Sequence, residues 1–173
     1  FDGSGELATT LLALGTGNEI IKIRETLRPH SLGRMWGGFT EYLGFSALDG
    51  PGKLMGMAAY GTPKYDLSDI VQLHKGRIHL GTRYLGKYYG PKEAHFYGAR
   101  MFSNLFLERF GPYRKKDSKV TQRHADLAAS FQKTLEDIAL KIVNFLYETT
   151  GVRNLCVAGG VGLNCQMNSV MLN

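Results

Sequence analysis

One long helical period running into an apolar stretch, a glycine turn and a second helical start constrains this 173-residue chain more than any other feature. His124, Ala128, Phe131, Leu135, Ile138, Ile142 and Phe145 are spaced four, three, four, three, four and three residues apart, which holds one stripe against a neighbour. The spacing predicts a helix from Thr121 to Gly151. Behind it, Asn154 to Ala158 lacks polar alternation and reads as a strand covered on both faces. Gly159-Gly160 and a helix from Gly162 to Asn173 follow. A strand, long helix, strand, glycine turn, helix order is that of an α/β protein.

The first half reads more simply. Leu7 to Leu14, the turn Gly15-Thr16-Gly17-Asn18 and Glu19 to Leu27 predict a β-hairpin, with Ile21, Ile23 and Thr26 marking one face. Pro29 stops the second strand, Ser31 is placed to cap a helix from Leu32 to Leu43, and Gly44 ends it. A short helix over Lys53 to Tyr60 and a small hairpin from Ile70 to Leu80, turning at Lys75-Gly76, complete that half.

The net charge of +6 has a location. Residues 81 to 119 hold nine Lys or Arg against three acids, and the remaining residues balance at twelve against twelve. The same segment holds nine of the nineteen aromatics, so it is expected to form a basic, aromatic, mainly helical insertion. Three readings stand. Its rings and cations can bind a single strand of nucleic acid; Phe102, Phe106 and Phe110, at i, i+4 and i+8, can form a small helical core; or the charge can face an anionic small substrate. No apolar run nears the ~18 residues of a membrane span, no leader is visible, and the cytoplasm is the expected compartment. Cys156 and Cys165 have no metal-ligand spacing and are expected as reduced core or helix residues. With no initiator Met and both ends inside elements, the chain is expected to be a piece of a longer protein.

Three glycine-bearing turns are the places for chemistry. Phe1-Asp2-Gly3-Ser4-Gly5-Glu6 leaves backbone N–H groups unshielded for an anion, and the carboxylates of Asp2 and Glu6 beside such a nest suit a divalent metal or a general base. The alternative is a plain turn. Ala158-Gly159-Gly160-Val161-Gly162-Leu163-Asn164 opens a helix after a strand, where phosphate or nucleotide is favoured, and Asn164 offers a donor and an acceptor. Close strand-to-helix packing accounts for the glycines equally. In Gly52-Lys53-Leu54-Met55-Gly56-Met57-Ala58-Ala59-Tyr60-Gly61, Lys53 at a helix start can reach a phosphate or lie in solvent. His30 faces a ligand or solvent, His124 is expected in the core, and Asp126 and Gln132 are expected on a solvated face. No Walker A motif or nucleophile elbow is present.

Taken in order, Phe-Asp-Gly-Ser-Gly-Glu, Pro-His-Ser-Leu-Gly with Phe39-Thr40-Glu41-Tyr42-Leu43-Gly44-Phe45, Gly-Lys-Leu-Met-Gly-Met-Ala-Ala-Tyr-Gly, His124 to Gln132 and Ala-Gly-Gly-Val-Gly-Leu-Asn-Cys resemble the carbamoyltransferases of nodulation and antibiotic tailoring. Asp126 to Gln132 also resembles the tRNA threonylcarbamoyl-transfer proteins. The resemblance implies an actin, hexokinase and Hsp70-like (ribonuclease H-like) fold, of which the chain is the second-half subdomain. It implies Asp2 and Glu6 as catalytic residues. Gly3, Ser4, Gly5, Lys53, Gly56, Met57, Gly159, Gly160, Val161 and Asn164 would contact nucleotide, and His30 the acceptor.

The implied reaction moves a carbamoyl group from carbamoyl adenylate, made from carbamoyl phosphate and ATP in an adenylate-forming domain, to a hydroxyl of a sugar, nodulation factor or antibiotic. A divalent metal, iron, would have its ligands mostly outside the chain, and the piece alone would be inactive. A homodimer is compatible with the family, a membrane or nucleic-acid partner is not expected. Two other readings remain: a threonylcarbamoyl-transfer protein acting on tRNA, and a nucleotide-binding module without activity.

Overall fold

The computed structural model describes residues 1–3, 5–46, 49–86 and 101–172. It is a mixed α/β arrangement with element order β1 (Ala8–Thr16), β2 (Glu19–Leu27), α1 (Leu32–Tyr42), α2 (Pro51–Ala58), β3 (Val71–His74), β4 (Arg77–Leu80), α3 (Asn104–Phe110), α4 (Gln122–Thr150) and α5 (Cys165–Leu172). The strands among the described residues form two antiparallel hairpins, β1 with β2 and β3 with β4. The first turns tightly at Gly17-Asn18, with Thr16 opposite Glu19. A register shift between Leu12 and Ala13 breaks the alternation. The shift puts Ile21, opposite Leu14, on the same face as Thr26, opposite Thr10, yet Thr26 is buried while Ile21 is 47% exposed and Ile23 lies between, so the three are not packed alike. In the second hairpin Lys75 and Gly76 take positive φ of 48° and 77°, the two-residue turn that matches strand twist.

The core forms where α1 crosses α4. Phe39 and Phe131 stack with centroids 3.6 Å apart, Phe102 and Phe106 stack at 3.9 Å, and Tyr42 meets Phe106 edge-on at 5.2 Å. All five rings are buried. Tyr42 donates its hydroxyl to the carbonyls of Phe110 (2.7 Å) and Gly111 (2.9 Å), and burial pushes its pKa up to about 12. Ala128, Phe131, Leu135, Ile138 and Ile142 are buried, as the stripe requires, and Gly151 ends α4 with φ 69°. His124 differs: it is half-buried, and its Nδ1 accepts the Thr121 N–H at 3.0 Å, so it caps α4 instead of filling the core.

Four other expectations are corrected. Residues 154–158 are not a covered strand: they form no ladder among the described residues, and Leu155 and Val157 are 43% and 38% exposed. Cys156 and Cys165 are both free and exposed; Cys165 opens α5 as a helix residue, whereas Cys156 belongs to neither the core nor a helix. Asp126 and Gln132 are buried, each at 4% exposure, not solvated. In the basic segment, helix among the described residues is limited to α3 and a single turn at Thr82–Tyr84, while residues 87–100 lie outside them. Its rings nevertheless face inward, with Phe102, Phe106 and Phe110 all buried. Asp69 binds both Arg83 (2.9 Å) and Arg109 (2.8 Å), and Arg114 is buried with its guanidinium on the carbonyls of Leu43 and Ser118. No helix among the described residues is long and apolar enough to cross a membrane.

Candidate functional site

Two glycine turns from opposite ends of the chain are held side by side. The Phe1 nitrogen donates to the Ala158 carbonyl (2.9 Å), and the Phe1 carbonyl accepts the Val161 N–H (3.3 Å). Gly159 sits at φ 93°, and a Cβ there would run into the Phe1 carbonyl oxygen, so the crossing requires glycine. Gly160 is the opposite case. A Cβ built on it would meet one neighbour within 4 Å, the Asp2 Oδ1 at 3.5 Å, so the backbone is open on that side.

The N-terminus of α1 holds the Asp2-Gly3 turn from below. Ser31 Oγ donates toward the carbonyls of Gly3 (2.8 Å) and Asp2 (3.1 Å) and accepts the Arg34 N–H (3.1 Å) as the helix cap. Gly33 lies so close that a Cβ would stand 2.6 Å from the Asp2 carbonyl carbon. A cavity of about 410 Å³ opens above this junction, within the range of small-molecule sites. Gly3, Gly33 and Trp36 line one wall, Gly160, Val161 and Asn164 another, and Asp49, Gly52 and Met55 close the far side.

Asn164 and Gln132 form the wall's foundation. Gln132 Nε2 donates to Asn164 Oδ1 (3.0 Å), and Asn164 Nδ2 donates to Gln132 Oε1 (2.9 Å). Asn164 Oδ1 also accepts the Met167 N–H (2.8 Å), capping α5. The acceptor that the sequence offered to a ligand is thus engaged inside the protein. Six residues before Gln132 on α4, Asp126 binds the Thr62 N–H (2.9 Å) and Lys64 Nζ (2.7 Å), while Ser130 Oγ takes the N–H groups of Lys64 and Tyr65, each at 3.1 Å. These bonds tie the chain after α2 to α4. The Lys64 ammonium, with the Thr62 N–H and Gln122, holds the Asp126 carboxyl down at about 2.

The residues expected from the sequence divide into groups. Gly3, Gly160, Val161 and Asn164 line the cavity, and Gly159 positions it. Asp2 stands at its edge, exposed, with Oδ1 accepting the Gly3 N–H at 2.6 Å. Glu6 and Gly5 are exposed, and the Gly5 carbonyl is taken by Arg28 (2.8 Å). Ser4 lies outside the described residues. Lys53 is exposed and pairs with Asp49 at 3.6 Å, and the backbone above exposed Gly56 is open.

Met57 and His30 do not belong to the cavity. Helix α2 starts at Pro51, two residues before the expected Lys53, and it turns Leu54, Met57 and Ala58 into the core while Gly52 and Met55 line the cavity. His30 Nδ1 accepts the Leu80 N–H (3.0 Å), its ring lies 5.3 Å from His79, and burial followed by the charge of His79 lowers its pKa. It faces β4. Sequence reasoning missed Gly33, Trp36, Met55 and Gln132. Gly33 and Trp36, three apart, follow the capping Ser31 and share its first helical turns, which was the available signal.

A family model described as carbamoyltransferase N-terminus matches residues 1–173. The chain belongs to that family. Among relatives of this carbamoyltransferase chain, an uncharacterized protein of Synechocystis, sll1178, is 41% identical over 99% of the chain and 27% of its own length. The nodulation protein NolNO of Sinorhizobium fredii is 32% identical over 99% of the chain and 23% of its length. The chain therefore spans about a quarter of the length of these relatives. A tRNA N6-adenosine threonylcarbamoyltransferase of Polaromonas is 31% identical over 71% of the chain and 33% of its length.

Proposed function

We propose that this cavity takes the phosphate and ribose of carbamoyl adenylate, and that the whole protein transfers the carbamoyl group to a hydroxyl of a small acceptor. The carrying observation is the clamp at Phe1, which sets the Asp2-Gly3 and Gly159-Gly160 turns on one cavity with the Gly160 backbone open to it. Two facing glycine turns are what an actin-like nucleotide fold would supply, and the threonylcarbamoyltransferase relative supports that fold. Phosphate would replace the Asp2 carboxylate on the Gly3 N–H, since both are anionic acceptors.

That displacement frees Asp2 for chemistry. Its carboxylate accepts the proton of the acceptor hydroxyl as the oxygen attacks the carbamoyl carbon. The C–O bond to the acceptor forms, the bond to the adenylate phosphate breaks, and AMP leaves with the electron pair. Trp36, Met55 and Leu135 line the cavity and limit water at the reacting carbonyl. Among the described residues no three His, Cys, Asp or Glu side chains converge on a metal position, so the family's iron finds no complete ligand set in them and no step runs through it.

A small acceptor is favoured over tRNA because Phe102, Phe106 and Phe110 are buried, which takes their rings away from base stacking, and Arg83 and Arg109 share the Asp69 carboxylate. The test is Asp2→Asn in the full-length protein. Turnover falls by roughly 10² or more while nucleotide affinity changes little. Wild-type turnover would remove Asp2 from the mechanism. Steeply salt-dependent tRNA binding, lost on Lys115→Glu with Lys116→Glu, would favour the tRNA reading.

A further inference from the structure

A second groove, of about 380 Å³, opens where β2 meets β4 and shares no lining residue with the cavity. Lys22, Arg24 and Arg28 enter it from β2 and the residue after it, Arg77 and His79 from β4, and His30 from the connection to α1. Glu25 is the one carboxylate among the lining residues, and its Oε2 already takes Lys22 Nζ at 3.1 Å. His74 stands behind His79, ring centroids 6.3 Å apart.

Arg24 and Arg77 are held differently from Arg83 and Arg109. Arg24 Nε donates to the Lys75 carbonyl (3.2 Å), Arg77 Nε to the Glu25 carbonyl (3.3 Å), and Arg28 Nη2 to the Gly5 carbonyl (2.8 Å). The backbone carbonyls at Arg24 and Arg77 fix a guanidinium in place without adding a counter-charge, whereas Asp69 bridges Arg83 and Arg109 and offsets one of their two charges. Like charges gathered in one groove repel, and screening acts only over about 8 Å at physiological salt. An anion relieves that repulsion, and planar guanidinium groups suit a tetrahedral oxyanion.

We infer that the β2–β4 groove is a binding site for a doubly charged oxyanion of the phosphate class, separate from the proposed nucleotide cavity. His30 adds a donor. Because its Nδ1 accepts the Leu80 N–H, the neutral ring carries its proton on Nε2. The anion comes either free, as phosphate or pyrophosphate, or as the phosphoryl group of a small organic molecule. Occupancy also reaches the cavity. Arg28 holds the Gly5 carbonyl, and Thr9 Oγ1 donates to the His30 carbonyl at 2.6 Å, so the groove shares its supports with the turn at Asp2.

The test uses the full-length protein in about 0.15 M salt, titrated separately with pyrophosphate and with glucose 6-phosphate and followed by calorimetry and by the histidine ring resonances. Saturable binding is expected, with the His30 and His79 resonances shifting together and the His30 titration moving to higher pH, since a dianion favours the imidazolium. Tighter pyrophosphate binding identifies a free anion as the ligand; tighter glucose 6-phosphate binding identifies a phosphorylated metabolite. Arg77 is exposed, and Arg77→Gln should weaken binding by about tenfold or more with the remaining resonances in place. Arg24→Gln should act in the same direction. Absence of saturable shifts at millimolar ligand, or affinity unchanged in both variants, overturns the site. Tighter binding of tRNA to this groove, with a steep salt slope, overturns the small-anion assignment. None of these outcomes depends on nucleotide binding.

Discussion

Asn164→Ala probes the joint on which the cavity wall stands. The substitution removes two things at once. The Met167 N–H loses the Oδ1 that caps α5 at 2.8 Å, and the buried Gln132 Oε1 loses the Nδ2 donor at 2.9 Å. Loss of an asparagine cap costs about 1 kcal/mol, and a buried acceptor left without a donor costs about 1–3 kcal/mol more. The sum, about 2–4 kcal/mol, acts locally on α5 and the turn before it. Hydrogen exchange of the Cys165–Leu172 amides in the full-length protein reads this directly, since every 1.4 kcal/mol is about tenfold in opening, giving roughly 30-fold to several-hundred-fold faster exchange. Gln132→Leu with Asn164→Ala should cost less than the two single changes added, because no orphaned amide then remains. A change in α5 exchange below about threefold for Asn164→Ala would refute the reasoning.

Adjacent glycines should respond oppositely. Gly159→Ala forces a side chain into φ 93° against the Phe1 carbonyl, costing ~1–2 kcal/mol in backbone strain before the collision is counted, whereas Gly160→Ala should stay within about 0.5 kcal/mol. Thermal melting of both variants checks the contrast, and equal losses would contradict it. The Asp126 carboxyl, held at about 2 against an ordinary 3.8, stabilises the fold above the ordinary value and loses that contribution as pH falls from about 4 toward 2. Asp126→Asn should flatten that part of an acid-unfolding curve; an unchanged curve would show that the Lys64 and Thr62 contacts carry no such linkage.

Much of the architecture was legible because it rests on local chemistry. The four-three spacing from His124 to Phe145, the Ser31 cap and the Lys75-Gly76 turn each follow from neighbours in sequence. What escaped depends on partners far away. Asn154 to Ala158 has a strand's composition, but a strand needs a ladder, and none forms among the described residues. Asp126 and Gln132 looked solvated because polarity alone gives no hint that Thr62, Lys64 and Asn164 wait opposite them. Met57 enters the core while Met55, two residues before it and about 200° around α2, lines the cavity, a choice of face set by what α2 packs against. The glycine turns stood out in the sequence. Their division of labour, with Gly159 forced by the Phe1 backbone crossing it and Gly160 open to a cavity, appears only in three dimensions.

The central claim is that nucleotide phosphate lies against the open Gly160 backbone. Calorimetry of the full-length protein with a non-hydrolysable ATP analogue, wild type beside Gly160→Val, tests it most directly. The would-be Cβ meets only the Asp2 Oδ1, at 3.5 Å, so the variant should keep its fold and melting temperature while its side chain fills the space of the phosphate or ribose. The account predicts binding in the wild type and a loss of roughly 30-fold or more in the variant, about 2 kcal/mol. A folded Gly160→Val that binds the analogue as the wild type does would contradict it.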